Sequence, residues 1–325
     1  MPYRAPPYDP ELAATLVRRL GPNPAELGAH NLMEGREGAS VASQSTRQKL
    51  RADPELKVSE RVCSGGAVPI VVAEPADGPR HGKPCLVYYH PGARIIGDCY
   101  TMIDPVIEWT KTYNAVTISV GYRLAPEHPG STATEDSYAA LEWVWAHTEE
   151  LGVDERRIVV VGFSAGGGLA AGAALLSRDR NGPRLCGQIL VCPMLDDRNT
   201  TISACQYSSG GSFSSNDNKF AWGLVLGGRA GAEDEVSIYD APGRAQDLTD
   251  LPPAYIEAGS AEPFRDEAVQ YASRMWECGE QAELHIWPGA PHSFNLIAPE
   301  AAISKVADKT RLAWLERILL RHDGE

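Results

Sequence analysis

The sequence predicts an α/β fold with a mostly parallel sheet covered by helices on both faces. Three observations carry this expectation. Short runs rich in β-branched residues recur from about residue 60 onward, they are apolar throughout, and helical segments separate them. Strands buried on both faces read in this way, because crossover helices cover the sheet.

The strand candidates are VPIVVAEPA (68–76), CLVYYH (85–90), AVTISVGY (115–122), RIVVVGFS (157–164), GQILVCP (187–193), AYIEAGS (254–260) and ELHIWPGA (283–290). Helical stretches fall at 132–149, 165–177 and about 265–277, with a terminal helix at 300–320. Ahead of the first strand, DPELAATLVRRL (9–20) places apolar residues at helical spacing behind an Asp cap, before a Gly-Pro break. The stretch 34–56 is polar and poor in large apolar residues, and is expected to be a loop with a short surface helix. Residues 196–245 interrupt the rhythm with SSGGSFSSNDN, a short AWGLVL helix and a Gly-rich turn, an excursion over the C-terminal edge of the sheet. At 325 residues, one large α/β domain over 1–325 is expected.

Composition narrows the function. A formal net charge of −13 argues against a nucleic-acid or anionic-membrane surface. Seven cysteines, an odd number with no C-x-x-C, point to neither a disulfide framework nor a zinc knuckle. Most are read as small buried hydrophobes in a reducing compartment. The N-terminal stretch MPYRAPPYDPELAATL lacks a basic region followed by an apolar core, so no signal peptide is expected. No apolar run approaches the roughly 20 residues of a membrane span. A cytoplasmic protein without nucleic-acid or membrane partners is expected, and a homodimer is one assembly open to it.

The chemistry centres on Gly162-Phe163-Ser164-Ala165-Gly166, a G-x-S-x-G between the strand VVV and a helix. A serine at such a turn is held above the sheet in a strained backbone, and the flanking glycines make room for it. The helix start offers free N–H groups, that of Ala165 among them, to a developing oxyanion. The run Gly166–Ala171 also fits the dinucleotide fingerprint G-x-G-x-x-A, but no acidic residue ends a strand about 20 residues on.

A second donor loop is expected at His90-Pro91-Gly92-Ala93, a small-residue turn after CLVYY. The expected base is His292, on the loop between the last strand and the terminal helix. The expected acid is Glu262, the first carboxylate past AYIEAGS, with Asp266 as the alternative. Serine, acid and histidine then follow the chain order of α/β-hydrolases.

With these residues assembled, the sequence resembles the hormone-sensitive lipase-like esterases, the bacterial family IV type. The likeness runs through HPGARIIGD (90–98), YRLAPEH (Tyr122 to His128), GFSAGGGLA (162–170), LPPAYIEAG (251–259) and the pairing of RDE with a later His. It implies an α/β-hydrolase fold with a small helical cap from residues 1–50 and about 198–245. It further implies that Gly92 and Ala93 join Ala165 as oxyanion donors.

Three positions depart from the pattern. Pro91 stands for the first loop glycine and lacks an N–H. Glu262 stands where Asp is commoner. Arg94 stands where an aromatic residue is usual. The plain reading of Arg94 is an ion pair with Asp98 or a cap carboxylate. The functional reading makes Arg94, with Phe163 beside the serine, a contact to substrate. YRLAPEH and Glu135-Asp136 are read as structural, holding the donor loop.

The expected activity is hydrolysis of short or medium acyl esters of small molecules through an acyl-enzyme, with no cofactor and no metal. The same triad would also serve acyl transfer, lactone or amide hydrolysis. A catalytically silent receptor on this fold is the alternative from another class.

Overall fold

The computed structural model describes residues 3–63, 67–233 and 235–320. Residues 1, 2 and 234 of the two expected cap segments lie outside the described residues.

The chain opens with helices α1 (Pro10–Leu20) and α2 (Leu32–Ala52), followed by strands β1 (Leu56–Cys63), β2 (Val68–Pro75) and β3 (Lys83–Tyr89). Then come α3 (Asp104–Tyr113), β4 (Val116–Val120), α4 (Thr132–Ala146), the single turn α5 (Thr148–Leu151), β5 (Val153–Phe163), α6 (Ala165–Asp179) and β6 (Gly187–Val191). After β6 the short α7 (Ile202–Gln206) and α8 (Ser215–Val225) form the excursion. The chain closes with β7 (Ala254–Gly259), α9 (Arg265–Glu277), β8 (Ala282–Trp287), α10 (Phe294–Ile297) and α11 (Ala302–Leu320).

The strands form one sheet in the order β1-β2-β4-β3-β5-β6-β7-β8. Pairing is antiparallel for β1 with β2 and β2 with β4, and parallel from β4 through β8. Alternate side chains leave the sheet on opposite faces. Cys85, Val87 and Tyr89 of β3 pack into the core under α4, α6 and α9, while Leu86 and Tyr88 enter the core under α3 and α11. The register sets Tyr89 against Gly162, Phe163 against Val191 and Gly259 against Trp287. The loops leaving the C-terminal ends of these strands therefore meet at one edge. Among the described residues no helix is long and apolar enough to cross a membrane.

The largest departure from expectation is α2. The stretch expected as loop and short helix is 21 residues of helix, although only Leu32, Ser43 and Leu50 are buried. Partners distant in sequence hold it. Arg36 donates to the carbonyls of Ile95 (2.8 Å) and Ala125 (2.7 Å) and pairs with Glu127 (2.6 Å). Ser43 Oγ donates to Asp98 (2.7 Å), Arg47 pairs with Glu60 (2.7 Å) and Lys49 with Asp104 (2.5 Å). By contrast α1 matches its reading closely, with Asp9 accepting from the N–H groups of Glu11 (2.9 Å) and Leu12 (3.2 Å).

Beneath the parallel half lies a fully buried ion pair. Glu257 of β7 accepts from Arg311 of α11, from Tyr255 Oη (2.8 Å) and from Trp287 Nε1 (3.1 Å). The guanidinium carbon stands 5.7 Å from the ring centres of both Trp109 and Phe163. Deleting one partner strands a buried charge, which typically costs about 3–5 kcal/mol. Arg311→Met alone should therefore lower stability in urea unfolding by that order. Adding Glu257→Gln, which removes the charge but keeps an acceptor for Tyr255, should recover most of the loss. A double variant as unstable as the sum of its parts would show that the pair acts by packing alone.

Candidate active site

Ser164 sits at φ +55° and ψ −119°, between the last residue of β5 and the first of α6. Such a backbone is unfavourable for a residue with a Cβ and persists only where its surroundings over-determine it. Here backbone bonds do so. The Ser164 N–H donates to the Val191 carbonyl (2.8 Å), and the Ser164 carbonyl accepts from Gly167 (2.9 Å) and Met194 (3.0 Å). The neighbouring glycines are sterically required. A Cβ on Gly162 would lie 2.0 Å from the Gly166 carbonyl oxygen, and one on Gly166 would lie 1.9 Å from that of Tyr89. A Cβ on Gly168 would stand 2.1 Å from the Met194 oxygen. The glycine run thus lets the helix approach adjoining backbone, which accounts for its fit to the dinucleotide pattern.

His292 leaves the loop after β8 and places Nε2 2.9 Å from Ser164 Oγ. Its Nδ1 lies 2.5 Å from Glu262 Oε2, and Glu262 Oε1 accepts from the Gly259 N–H at 2.6 Å. Glu262 is therefore gripped at both oxygens, and its contact with Nδ1 leaves Nε2 facing the serine. Burial disfavours the charged imidazole, and the Glu262 carboxylate on Nδ1 favours it. Phe264 meets the ring edge-on at 4.9 Å and Phe213 tilts against it at 5.3 Å. Sequence reasoning missed both aromatics. Their one signal was position, each within a segment already expected near the serine.

Asp266, the alternative acid, points elsewhere: it accepts from the Ser203 N–H (2.7 Å) and from Arg265 (2.7 Å). Asp196 and Asp197 bind Arg198 and Arg244.

The donor loop follows β3. Gly92, Ala93 and Arg94 have φ of +124°, +54° and +61° in succession. A Cβ on Gly92 would fall 2.0 Å from the Ile96 oxygen, so only glycine fits. The Gly92 carbonyl accepts from Ile95 and Ile96, both at 2.9 Å, which closes the turn. Among the described residues, the N–H groups of Gly92, Ala93 and Ala165 donate to no protein acceptor. The YRLAPEH segment braces this loop: Tyr122 Oη donates to the His90 carbonyl (2.7 Å), and Arg123 is clamped by buried Asp136 (2.8 Å). Glu135 instead pairs with Arg180 (2.6 Å) at the surface.

Two expected substrate contacts are corrected. Arg94, only 1% exposed, does not line the cleft; it donates to the Asp240 carbonyl (2.8 Å) and lies over the Trp222 ring at 5.0 Å. It makes no pair with Asp98, which is engaged by Ser43 and Tyr100. Its positive φ belongs to the turn, and the side chain runs beneath α8. Phe163 is fully buried on the opposite face of the sheet, against Tyr88 and Trp109, because neighbouring residues of a strand point to opposite faces.

Ser164 and His292 open instead onto a cleft of about 1100 Å³. Its walls come from Leu20 and Leu27 near the N-terminus, Gly35 and Gly38 of α2, Phe213 before α8, and Leu296 and Ile297 of α10.

The sheet order, the strained turn at Ser164 and the order serine, carboxylate, histidine define the α/β-hydrolase class. The chain belongs to the alpha/beta hydrolase fold family, in its hormone-sensitive lipase-like branch, and the family model matches residues 86–296. Among relatives, it is 36% identical over 287 residues to Carboxylesterase NlhH of Mycobacterium tuberculosis, covering 82% of this chain and 86% of that one. It is 34% identical over 261 residues to Esterase LipI of the same organism, covering 74% and 78%. A solved structure titled Bacterial Heroin Esterase superposes with a TM-score of 0.85 at 34% identity, covering 96% of this chain and 98% of that one.

His90 makes the donor loop acid-sensitive. Its Nδ1 lies 2.7 Å from the Pro91 carbonyl, Nε2 is buried without a partner, and the ring stacks on Tyr122 at 4.1 Å. Burial pushes its pKa down to about 4. The unfolded chain takes up this proton near pH 6.5, the folded chain only near 4, so the unfolded state binds more protons in between. Stability from this group is full above about pH 6.5 and falls on acidification toward 4, by on the order of 3 kcal/mol in all. His90→Gln should remove that slope from urea-unfolding stabilities measured between pH 7 and 4. An unchanged slope would assign it to other groups.

Proposed function

We propose that the protein is a serine carboxylesterase that cleaves short or medium acyl esters of small molecules through an acyl-enzyme. The observation that carries this reading is the hydrogen-bonded line from Ser164 Oγ through His292 to Glu262 at the floor of an apolar cleft. Relatives named esterase and carboxylesterase, aligned over most of their own length, support it.

In this reading Ser164 Oγ attacks the ester carbonyl while His292 Nε2 takes its proton. Glu262 fixes the imidazole orientation and stabilises the imidazolium that forms. The N–H groups of Gly92, Ala93 and Ala165 receive the oxyanion, already aimed and needing no reorganisation. His292 then returns the proton to the leaving alcohol, and water, activated by the same nitrogen, releases the acid. The steps use side chains and backbone N–H groups alone. The N-terminal helices and the segment carrying Phe213 act as a cap that selects the ester. All seven cysteines are unpaired, which fits a cytoplasmic enzyme.

With p-nitrophenyl acetate as substrate, Ser164→Ala and His292→Ala should each lower kcat by roughly 10⁴–10⁶-fold. The double variant should be hardly worse, because the residues act as a unit. Glu262→Gln should cost about 10⁴-fold, whereas Asp266→Asn should chiefly affect stability. Substantial turnover by Ser164→Ala protein would remove the mechanism.

Gly38 supplies a test of the cleft. A Cβ there would meet nothing within 4 Å, and the residue lines the cavity on α2. Gly38→Phe should therefore fold and fill part of the channel. Its kcat/KM should fall by about tenfold more for p-nitrophenyl octanoate than for the acetate, a difference of ~1.4 kcal/mol. Equal losses on both esters would place the acyl chain elsewhere.

A further inference from the structure

One group beside the triad takes no part in acyl transfer. Cys192 directly follows β6, its N–H donates to the Glu257 carbonyl at 2.6 Å, and its φ is +41°. Its Sγ lies 3.7 Å from Ser293 Oγ, on the loop that carries the histidine. The thiol, one Glu262 oxygen and one His292 ring nitrogen all lie within 4.8 Å of one another. All three residues are buried. Among the described residues, no other set of three histidine, cysteine or acidic side chains converges as closely.

We propose that Cys192, Glu262 and His292 form a site for a thiophilic divalent cation of the zinc class, and that its occupation switches the enzyme off. The inhibitory part rests on the triad reading given above; the binding part does not.

The donor set favours such an ion. Thiolate, imidazole and carboxylate together suit zinc and cadmium, whereas calcium and magnesium require oxygen ligands. Zinc bonds of about 2.0–2.3 Å in tetrahedral geometry place donors roughly 3.3–3.8 Å apart. The Glu262–His292 contact of 2.5 Å must therefore widen by about 1 Å, within reach of small side-chain rotations. Nε2 is taken up by Ser164, so Nδ1 is the nitrogen that faces the ion.

Binding releases one proton to solvent, that of the thiol, while the proton of Nδ1 passes to Nε2 and Glu262 is already ionised. The ion, the thiolate and the carboxylate then sum to zero charge, where the carboxylate alone left one negative charge. A buried site gains by that neutralisation. The fourth position remains for water, as in other sites with three protein ligands. Entry is from the cleft, which His292 and Ser293 line.

Loss of activity follows from the same contacts. Glu262 is drawn to the ion and no longer orients the imidazole. With the ion on Nδ1 the ring proton sits on Nε2, which can no longer take the serine proton.

The test uses the full-length protein, first stripped with EDTA and then titrated with Zn²⁺ or Cd²⁺. Two readouts are followed: ester hydrolysis, and the ultraviolet charge-transfer band of a cadmium thiolate. The expected result is one ion per chain, a band that grows with loss of activity, and full recovery on chelation. Calcium and magnesium should have no effect.

Cys192→Ala should keep hydrolysing p-nitrophenyl acetate, lose the band, and need about 10–100-fold more metal for inhibition. Cys192→Ser is the second variant should the first fold poorly. Cys205→Ala, which removes an exposed thiol, should behave as the parent. Ser164→Ala protein should still show the band, so the ion site is read independently of catalysis. Inhibition of Cys192→Ala at the parent's metal concentration, or a band that survives it, would overturn the proposal. A Ser164→Ala protein that still hydrolyses esters would instead overturn the triad.

Discussion

The structure turns on one backbone conformation, the positive φ of Ser164 between β5 and α6. No local preference favours it, so the surroundings must supply it. β5 lies at the centre of the sheet, paired in parallel with β3 on one side and β6 on the other. Glycines then let α6 close against the strand ends to distances that no Cβ would permit. The carbonyl of the strained residue accepts bonds from its own helix and from the Met194 segment. With the turn fixed, the serine stands where loops after β3, β7 and β8 converge, and the other site residues need only emerge from their own strand ends.

Much of this was legible in the sequence because parallel strands are written as continuous apolar runs. Five of the seven strands expected between 68 and 290 fall within two residues of their expected bounds, while β5 begins four residues earlier and β8 ends three residues earlier. The three residues of the hydrogen-bonded line are legible from motif and chain order. What escaped detection depends on partners far along the chain. Helix α2 carries little apolar periodicity and is held by residues such as Glu127 and Asp104. Strand β1 lies at the sheet edge with most of its side chains exposed, and so lacks the signature of the buried strands. Arg94 and Phe163 were misjudged for a different reason. Proximity in sequence to a reactive residue says nothing of direction, and a strand or a tight turn can send the adjacent side chain to the far side of the sheet.

Charge is distributed with similar economy. Glu257 with Arg311 is fully buried and hydrogen-bonded, and buried Asp197 is held by the partly buried Arg244. Each joins elements that packing alone would leave free to slide: β7 to the terminal helix, and the loop after β6 to the segment after α8. Glu267 is buried too and accepts from the N–H groups of Leu195 (2.8 Å) and Asp196 (2.6 Å), while desolvation and the neighbouring Asp196 hold its pKa well above the usual carboxylate range. Such groups contribute little net stability per pair, but a misaligned alternative would leave them unpaired, and that penalty selects a single register.

The way α2 is attached has a kinetic meaning. Its anchors are largely water-accessible ion pairs, each weak and readily exchanged with solvent, whereas the strand ends below are locked by packed apolar layers. Segments bound so differently do not open at the same free-energy cost, and native proteins unfold in parts along such boundaries. Helix α2 therefore belongs to the low-energy end of the protein's excursions. Amide hydrogens of its outer turns should exchange before those of β5 and β6, whose opening requires the packed layers to part. An opening confined to α2 would widen the cleft that it shares with Ser164 and leave the strained turn in place.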